Sequence, residues 1–361
     1  MLVFRDPAGL GVSSRRPRHG ERILSSIVVT GGAGYIGSHA VKALLEAGRP
    51  VVVFDNLSAG HPEAVEHLAA RWPGQVSLVR GDIRDTAAVE AALRESRAVA
   101  VMHFAAWLSV PDSVRDPVGY YSNNVGGALS VLGAMARAGV GRFVFSSTCA
   151  VFGEPERVPI PEEHPNHPVN AYGETKLAIE RALPHFERAY GLRSVALRYF
   201  NAAGADPDGL LGEDHSPEIH LIPRAIDAAR GGERLMVFGT DYPTPDGTCQ
   251  RDYVHVADLA DAHVRALDAL ERGESSAVFN LGNGRPHSVL EVIRAVERVT
   301  GRQVPHDIAA RRAGDPARLF ASNERIRGAL GWTPRFADLD AIVGTAWAWH
   351  AAHPRGYAGR T

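Results

Sequence analysis

A short β-branched run, Ser26-Ile-Val-Val-Thr30, meets a glycine-rich turn, Gly31-Gly-Ala-Gly34-Tyr-Ile-Gly37, and a helical stretch follows at once. This strand–turn–helix unit constrains the fold more than any other feature of the chain. A strand buried on both faces reads as a continuous apolar run, and parallel neighbours need a crossover between them. The unit recurs. The helix expected over about Ser38–Ala47 is closed by Gly48, and Pro50-Val-Val-Val-Phe54 follows as a second strand. Further strands are expected at Gln75–Val79, Ala98–His103, Arg142–Ser146 and Ser194–Arg198. Helices are expected at 85–96, around Tyr120–Ala138 and from Tyr172 to about Tyr190.

Strand and helix alternate through this region, which predicts an α/β fold: a doubly wound parallel sheet of Rossmann type. After Asn201 the texture changes to a loop-rich stretch and then a less regular mixture. That predicts a smaller mixed α/β substrate domain over 201–357, following a dinucleotide-binding domain over 26–200. The segment 253–281 is expected to return towards the first domain. Residues 1–25 carry scattered Arg, Gly and Pro without the apolar core of a signal peptide, and read as a disordered extension or an early start codon.

A net charge of −2 gives no basic field for nucleic acid. No apolar stretch reaches the roughly 18 residues of a membrane span. Two cysteines, Cys149 and Cys249, supply no disulfide framework and suit a reducing compartment, so a cytoplasmic protein is expected.

Read from Gly32, the turn is G-x-G-x-x-G, placed between strand and helix. Its glycines let the backbone approach a pyrophosphate at a helix N-terminus. Asp55 ends the next strand, where a carboxylate accepts from ribose hydroxyls and repels a 2′-phosphate, which favours NAD over NADP. Asp82-Ile83 ends the third strand, where an adenine could rest, although Asp82 also suits a helix N-cap. His103 ends the fourth strand and reads as a packed core histidine.

Lys42 and Lys176 are the two lysines among 39 basic residues, and Lys176 lies four residues after Tyr172. On a helix these share a face, so the ammonium is expected near the phenol, favouring its ionised form. A phenol with an ordinary pKa near 10 needs such help to act as a base near neutral pH. Ser146-Ser-Thr148 ends the fifth strand at the same edge. Thr148 can either hydrogen-bond the reacting hydroxyl or cap a turn.

With these residues in place, the chain closely resembles the extended short-chain dehydrogenase/reductase family, and within it the sugar-nucleotide 4-epimerases, from residue 26 to about 357. The resemblance is carried by 29–39 (Val-Thr-Gly-Gly-Ala-Gly-Tyr-Ile-Gly-Ser-His), Tyr120–Val125, Tyr172–Lys176, Leu197–Gly204, Asp241–Val256 and Arg311–Asp315. It implies reversible oxidation at C4 of a UDP-hexose, with NAD restored in each cycle, Tyr172 as base, and Lys176 and Thr148 assisting. It implies that NAD contacts Gly31, Gly34, Tyr35, Ile36, Gly37, Asp55, Asn56, Asp82, Ile83, Phe104, Ala105, Ala106, Asn123, Ser146, Tyr172, Lys176 and Tyr199. The UDP-sugar would contact Thr148, Tyr172, Asn201, His220, Leu221, Phe238, Arg251, Arg312, Asp315 and Leu319. Without the resemblance, Arg251 and Arg312 read as surface charge in an Arg-rich chain. A homodimer is also implied, through the helices near 120–138 and 172–190.

Departures from the family pattern narrow the chemistry. Family dehydratases carry Asp-Glu where this chain has Cys149-Ala150, and the decarboxylases carry Glu at the second of these positions, so elimination and decarboxylation are disfavoured. Phe152 replaces a usual Tyr, and Leu108 stands where some epimerases place Lys. Leu319 aligns with a gate on the sugar pocket, leaving open a UDP-N-acetylhexosamine or UDP-pentose as substrate. A non-catalytic dinucleotide sensor is the reading from another class. No metal site is expected: Glu162-Glu-His-Pro-Asn-His167 reads as a solvated loop, and Cys149 lacks an adjacent base.

Overall fold

A computed structural model of the chain describes residues 25–312 and 315–357. The expectation for residues 1–25 lies, apart from residue 25, outside the described residues. At the centre is a seven-stranded sheet. Its strands are β1 (Ile27–Thr30), β2 (Val51–Asp55), β3 (Val76–Arg80), β4 (Ala100–His103), β5 (Arg142–Thr148), β6 (Arg193–Tyr199) and an edge strand, Ala277–Leu281. In space they run β3-β2-β1-β4-β5-β6 and then the edge strand. Every pairing is parallel. The expected doubly wound sheet is therefore present, with its order reversing between β1 and β4. In such sheets the crevice beyond the strand ends at the reversal receives the ligand.

Continuous apolar strands follow from burial on both faces. Val29, Val53 and Met102 pack on one face with Val41 and Leu44 of the helix Tyr35–Glu46 and Leu259 and Leu267 of the helix Val256–Glu271. Val28, Phe54, Val101, Phe143 and Phe145 pack on the other with Val131, Leu132, Ile179 and Leu183. Val28 and Val29 face opposite ways, as the pleat requires.

The segment beyond residue 253 crosses back. Val256–Glu271 lies against the helix Tyr35–Glu46, and Ala277–Leu281 pairs with β6. The rest forms a smaller unit. Gln250–His255 pairs with Asn201–Ala203, Pro286–Ser288 and Arg318–Leu319. Leu235–Phe238 pairs with His306–Ala309. The helices Leu221–Ala229, Val289–Thr300 and Leu339–Ala352 share a core there through Ile226, Val292, Val296, Ile342 and Val343.

One expected helix differs. Around 120–138 the chain forms a short turn Pro117–Tyr120, a π-helical stretch Tyr121–Gly126 and an α-helix Gly127–Ala138. Single π-turns often mark functional sites, and this one buries Asn124 and Asn123, the latter lining the crevice. Asn124 Nδ2 donates to Thr175 Oγ1 at 3.1 Å, tying the turn to the helix that carries Tyr172. That helix, Ala171–Tyr190, is capped by Asn170, whose side chain accepts from Gly173 N–H. The segment 162–167 is a loop with Glu163, Pro165 and His167 exposed, anchored at two points. His164 is buried, its Nε2 accepts from Glu156 N–H at 2.9 Å, and Glu162 Oε1 accepts from Asn280 N–H at 2.8 Å.

Candidate active site

The crevice at the sheet's switch point is lined by the glycine turn, Asp55, the ends of β4 and β5, Tyr172 and Lys176. The turn follows β1 directly, and close packing fixes it. Gly31 has φ +72°, and a Cβ there would lie 2.4 Å from the Ala105 nitrogen. A Cβ on Gly37 would lie 2.1 Å from the Gly31 oxygen. Nothing larger than hydrogen fits at either position. Asp55 holds this cradle in place: its carboxylate accepts from Ala33 N–H at 3.0 Å and from Leu57 N–H at 2.8 Å. Burial raises its pKa against those two bonds. A glycine cradle at a helix N-terminus, with a carboxylate at the adjacent strand end, fits a dinucleotide with free ribose hydroxyls.

Most of the sequence-expected cofactor residues converge here. Gly31, Gly34, Tyr35, Ile36, Gly37, Asp55, Asn56, Ile83, Phe104, Ala105, Ala106, Asn123, Ser146 and Tyr199 all line the crevice. Asp82 does not. Its carboxylate is taken up by the Arg84 guanidinium at 2.6 and 2.9 Å, while its neighbours Gly81 and Ile83 line the wall. Tyr35 is held by its hydroxyl, which donates to the Gly204 carbonyl at 2.6 Å. His103 is packed between Phe143 and Phe145, with Nδ1 2.7 Å from Thr30 Oγ1, and has no path to the crevice.

Tyr172, Thr148 and Lys176 line the crevice together. Lys176 Nζ donates to the Ser146 carbonyl at 2.8 Å and sits 5.0 Å over the Phe145 ring and 5.9 Å from the Tyr172 ring centre. It therefore does not hydrogen-bond the phenol. Burial pushes the Tyr172 phenol well above its usual range, against a hydrogen bond with Thr148. Burial also lowers Lys176 to about 7, against the pull of Glu180. Burial disfavours the charged form of both groups. Behind Lys176 lies a buried ion pair in which Arg198 grips Glu180 at 2.5 Å, with Ser147 Oγ also donating to Glu180.

The expected nucleotide side forms a second groove beside the first. It is lined by Asn201, His220, Leu221, Phe238, Arg251, Arg312 and Asp315, of which Asn201, His220 and Asp315 also face the main crevice. Arg251 reaches Asp315 and donates to the Pro316 carbonyl at 2.9 Å. The Arg312 guanidinium stacks 3.9 Å over Phe238. Leu319 pairs in register with Arg251 and lines the main crevice.

Sequence reasoning missed Gly60, Glu213 and His215, all in the crevice wall. Gly60 carried a signal, as a glycine in the loop just after Asp55. A Cβ there would meet Ala33 at 2.9 Å. Glu213 and His215 sit in a loop without periodicity and carried none. Burial pushes the Cys149 thiol up to about 12, which removes it as a nucleophile.

Residues 27–282 match the NAD dependent epimerase/dehydratase family. The chain is 49% identical over 336 residues to the UDP-glucose 4-epimerase of Lacticaseibacillus casei, covering 93% of this chain and 99% of that one. It is similar to the UDP-glucose 4-epimerase of Brucella ovis solved with NAD, with TM-score 0.86, 48% identity, and 90% and 98% of the two chains covered. It is also similar to the Bifidobacterium longum UDP-glucose 4-epimerase solved with NAD+ and UDP, with TM-score 0.87, 38% identity, and 92% and 100% covered.

Proposed function

The chain belongs to the NAD dependent epimerase/dehydratase family, and from that premise we propose that it interconverts UDP-galactose and UDP-glucose by NAD-dependent 4-epimerisation. The observation that carries this reading is the meeting of three features in one crevice: the glycine cradle with Asp55, the Thr148–Tyr172–Lys176 group, and the adjoining groove with two arginines. Its relatives' names and bound ligands point the same way.

NAD, when bound, supplies a reversible hydride acceptor for C4 of the sugar and a positive nicotinamide ring. Gly31, Gly34 and Gly37 would receive its pyrophosphate and Asp55 its ribose hydroxyls. Tyr172 takes the proton of the sugar's 4-hydroxyl as the C4–H bond breaks, and Thr148 hydrogen-bonds the same oxygen. Lys176 sets positive charge one turn along the helix from the phenolate. Arg251 and Arg312 hold the diphosphate by charge-assisted bonds while the 4-keto sugar turns about its link to it. Tyr172 then returns the proton to the sugar's O4, and inversion would follow because the turned keto sugar presents the other face of C4 to the cofactor. No side chain at 149 or 150 can expel water from the keto sugar, so the cycle closes without elimination. Residues 26–200 would hold the cofactor and 201–357 the nucleotide sugar, with 256–281 returning to the first part.

Purified protein given UDP-galactose without added reductant should yield UDP-glucose. Tyr172→Phe should lower kcat by about 10³-fold, within the usual range for a general base, while retaining NAD. Turnover equal to the parent's would refute the assignment of the base. A panel including UDP-N-acetylgalactosamine and UDP-arabinose reads the gate at Leu319.

A homodimer through the helices at 120–138 and 171–190 is part of this reading. It is supported by the exposed apolar side chains Tyr121 and Leu129 on the first stretch and Tyr190 on the second, with Val114 and Val118 just before them. Light scattering at a single-chain mass would remove it. No described helix is long and apolar enough to cross a membrane, and two free cysteines suit a cytoplasmic setting.

A further inference from the structure

The loop that precedes the helix Leu221–Ala229 folds Glu213, His215, Glu218 and His220 together at the mouth of the crevice. One donor atom from each lies within 4.8 Å of the other three. His220 Nδ1 is 2.8 Å from Glu213 Oε1 and 3.0 Å from Glu218 Oε1, and His215 Nδ1 is 3.3 Å from Glu213 Oε1 and 3.6 Å from the second Glu218 oxygen. Four donors about 2.1 Å from a common tetrahedral centre would stand roughly 3.4 Å apart. The four His–Glu contacts run from 2.8 to 3.6 Å, with the two histidines meeting different oxygens of Glu218.

Hydrogen bonding accounts for only part of the cluster, through His220 Nδ1 and Glu218 Oε1 at 3.0 Å. Glu213 is 4% exposed, yet its Oε1 makes no aligned hydrogen bond, and neither does the buried His215 Nδ1. A single imidazole N–H on His220 can align with one carboxylate, not two. Two carboxylates brought together in this wall also repel one another unless positive charge lies between them, which protonated imidazoles or a bound cation supplies. Glu218 is oriented as a ligand would be: its Oε1 accepts the backbone N–H groups of Ile219 and His220 at 2.8 Å, leaving Oε2 towards His215.

We propose that Glu213, His215, Glu218 and His220 form a binding site for one divalent cation of the zinc class. Two imidazole nitrogens and two carboxylates match the ligand preferences of that class, and two Glu charges balance a dication. Four protein ligands make the site closed and structural. The ion clips residues 213–220 into the wall shared by the two grooves, beside Tyr35, whose ring centre lies 6.2 Å from that of His215. Metal binding needs no sugar, so this inference stands apart from the reading of the reaction.

The test uses the full chain, treated with chelator, dialysed and titrated with Zn2+ alone by calorimetry, with Co2+ absorbance as the probe of tetrahedral geometry. One equivalent should bind, and its melting temperature should rise with Zn2+. His215→Ala and Glu218→Gln should each lose that equivalent and that rise. A folded parent that binds neither ion would overturn the proposal, leaving the cluster as paired imidazolium and carboxylate groups. So would both variants binding one equivalent as tightly as the parent, since the ion would then lie elsewhere. The parent titration is decisive even if a variant fails to fold.

Discussion

The glycine wall and the arginine wall adjoin in one active site but are held in different ways. Gly31, Gly37 and Gly60 work by what they lack. Backbone atoms stand 2.1 to 2.9 Å from where their Cβ atoms would be, so this wall is a fixed mould set by β1, β2 and the helix between them. Arg251, Arg312 and Asp315 work by what they reach. Arg251 spans to Asp315, and Arg312 rests on Phe238. A mould fails when anything is added to it, whereas a set of reaching side chains fails by degrees.

The largest effect should therefore come from one methyl group. Gly37→Ala places a carbon against a backbone carbonyl that cannot swing aside. We expect a loss of about 3 kcal/mol or more, the upper end for overpacked sites. Bound NAD should disappear from purified protein, as measured by absorbance after denaturation. Full NAD content in this variant would show that the turn can yield and would dissolve the contrast.

Arg251→Met, which removes far more atoms, should do less. Losing a charge-assisted contact to phosphate is worth roughly 1.5–3 kcal/mol, or about 10- to 100-fold in kcat/KM. The change should appear chiefly in KM for the UDP-sugar, with NAD content unchanged. If NAD is lost as well, the two walls are one cooperative unit.

The same contrast explains what the sequence could tell. The sheet was legible because strands buried on both faces must be continuous apolar runs, and the mould because its glycines sit between strand and helix. Ala277–Leu281 was legible for the same reason, despite its distance along the chain from β6. Arg251 and Arg312 had no such pattern; in a chain this rich in Arg only their surrounding motifs marked them. Glu213 and His215 were invisible because their meeting depends on a loop's tertiary path. The burial of Tyr172 and Lys176 was out of reach for a related reason. Spacing gives proximity on a helix face, but desolvation depends on what covers that face.

Acid should divide the walls again. His103 lies in the sheet beneath the mould, 1% exposed, and burial lowers its pKa to about 3. The unfolded chain protonates this histidine near 6.5, while the folded state resists until about 3. Between those values the unfolded state binds the extra proton, so stability is lost as pH falls below 6.5. From pH 7 to pH 5 this one group should remove about 2 kcal/mol. Denaturant unfolding of the parent and His103→Asn at both pH values isolates it, since other groups cancel in the difference. A parent-minus-variant difference that does not change with pH would mean that His103 protonates without disturbing the sheet.

The smallest effect tests where the contrast should blur. Asp55 belongs to the mould by position but acts through a side chain. Its carboxylate braces Ala33 and Leu57 and, in the proposed function, also receives the ribose hydroxyls of NAD. Asp55→Asn keeps one acceptor oxygen and turns the other into a donor, so one of the two backbone N–H groups loses its partner. That should cost about 1 kcal/mol, near the net value of a single hydrogen bond, and weaken NAD about fivefold. Removing the charge also lifts its repulsion of a 2′-phosphate, so NADP should gain relative to NAD. Measuring both dinucleotides separates the two duties. If stability falls while the NAD-to-NADP preference stays fixed, Asp55 is a brace alone, and discrimination lies in the backbone of the mould. If the preference shifts, one side chain belongs to both kinds of wall.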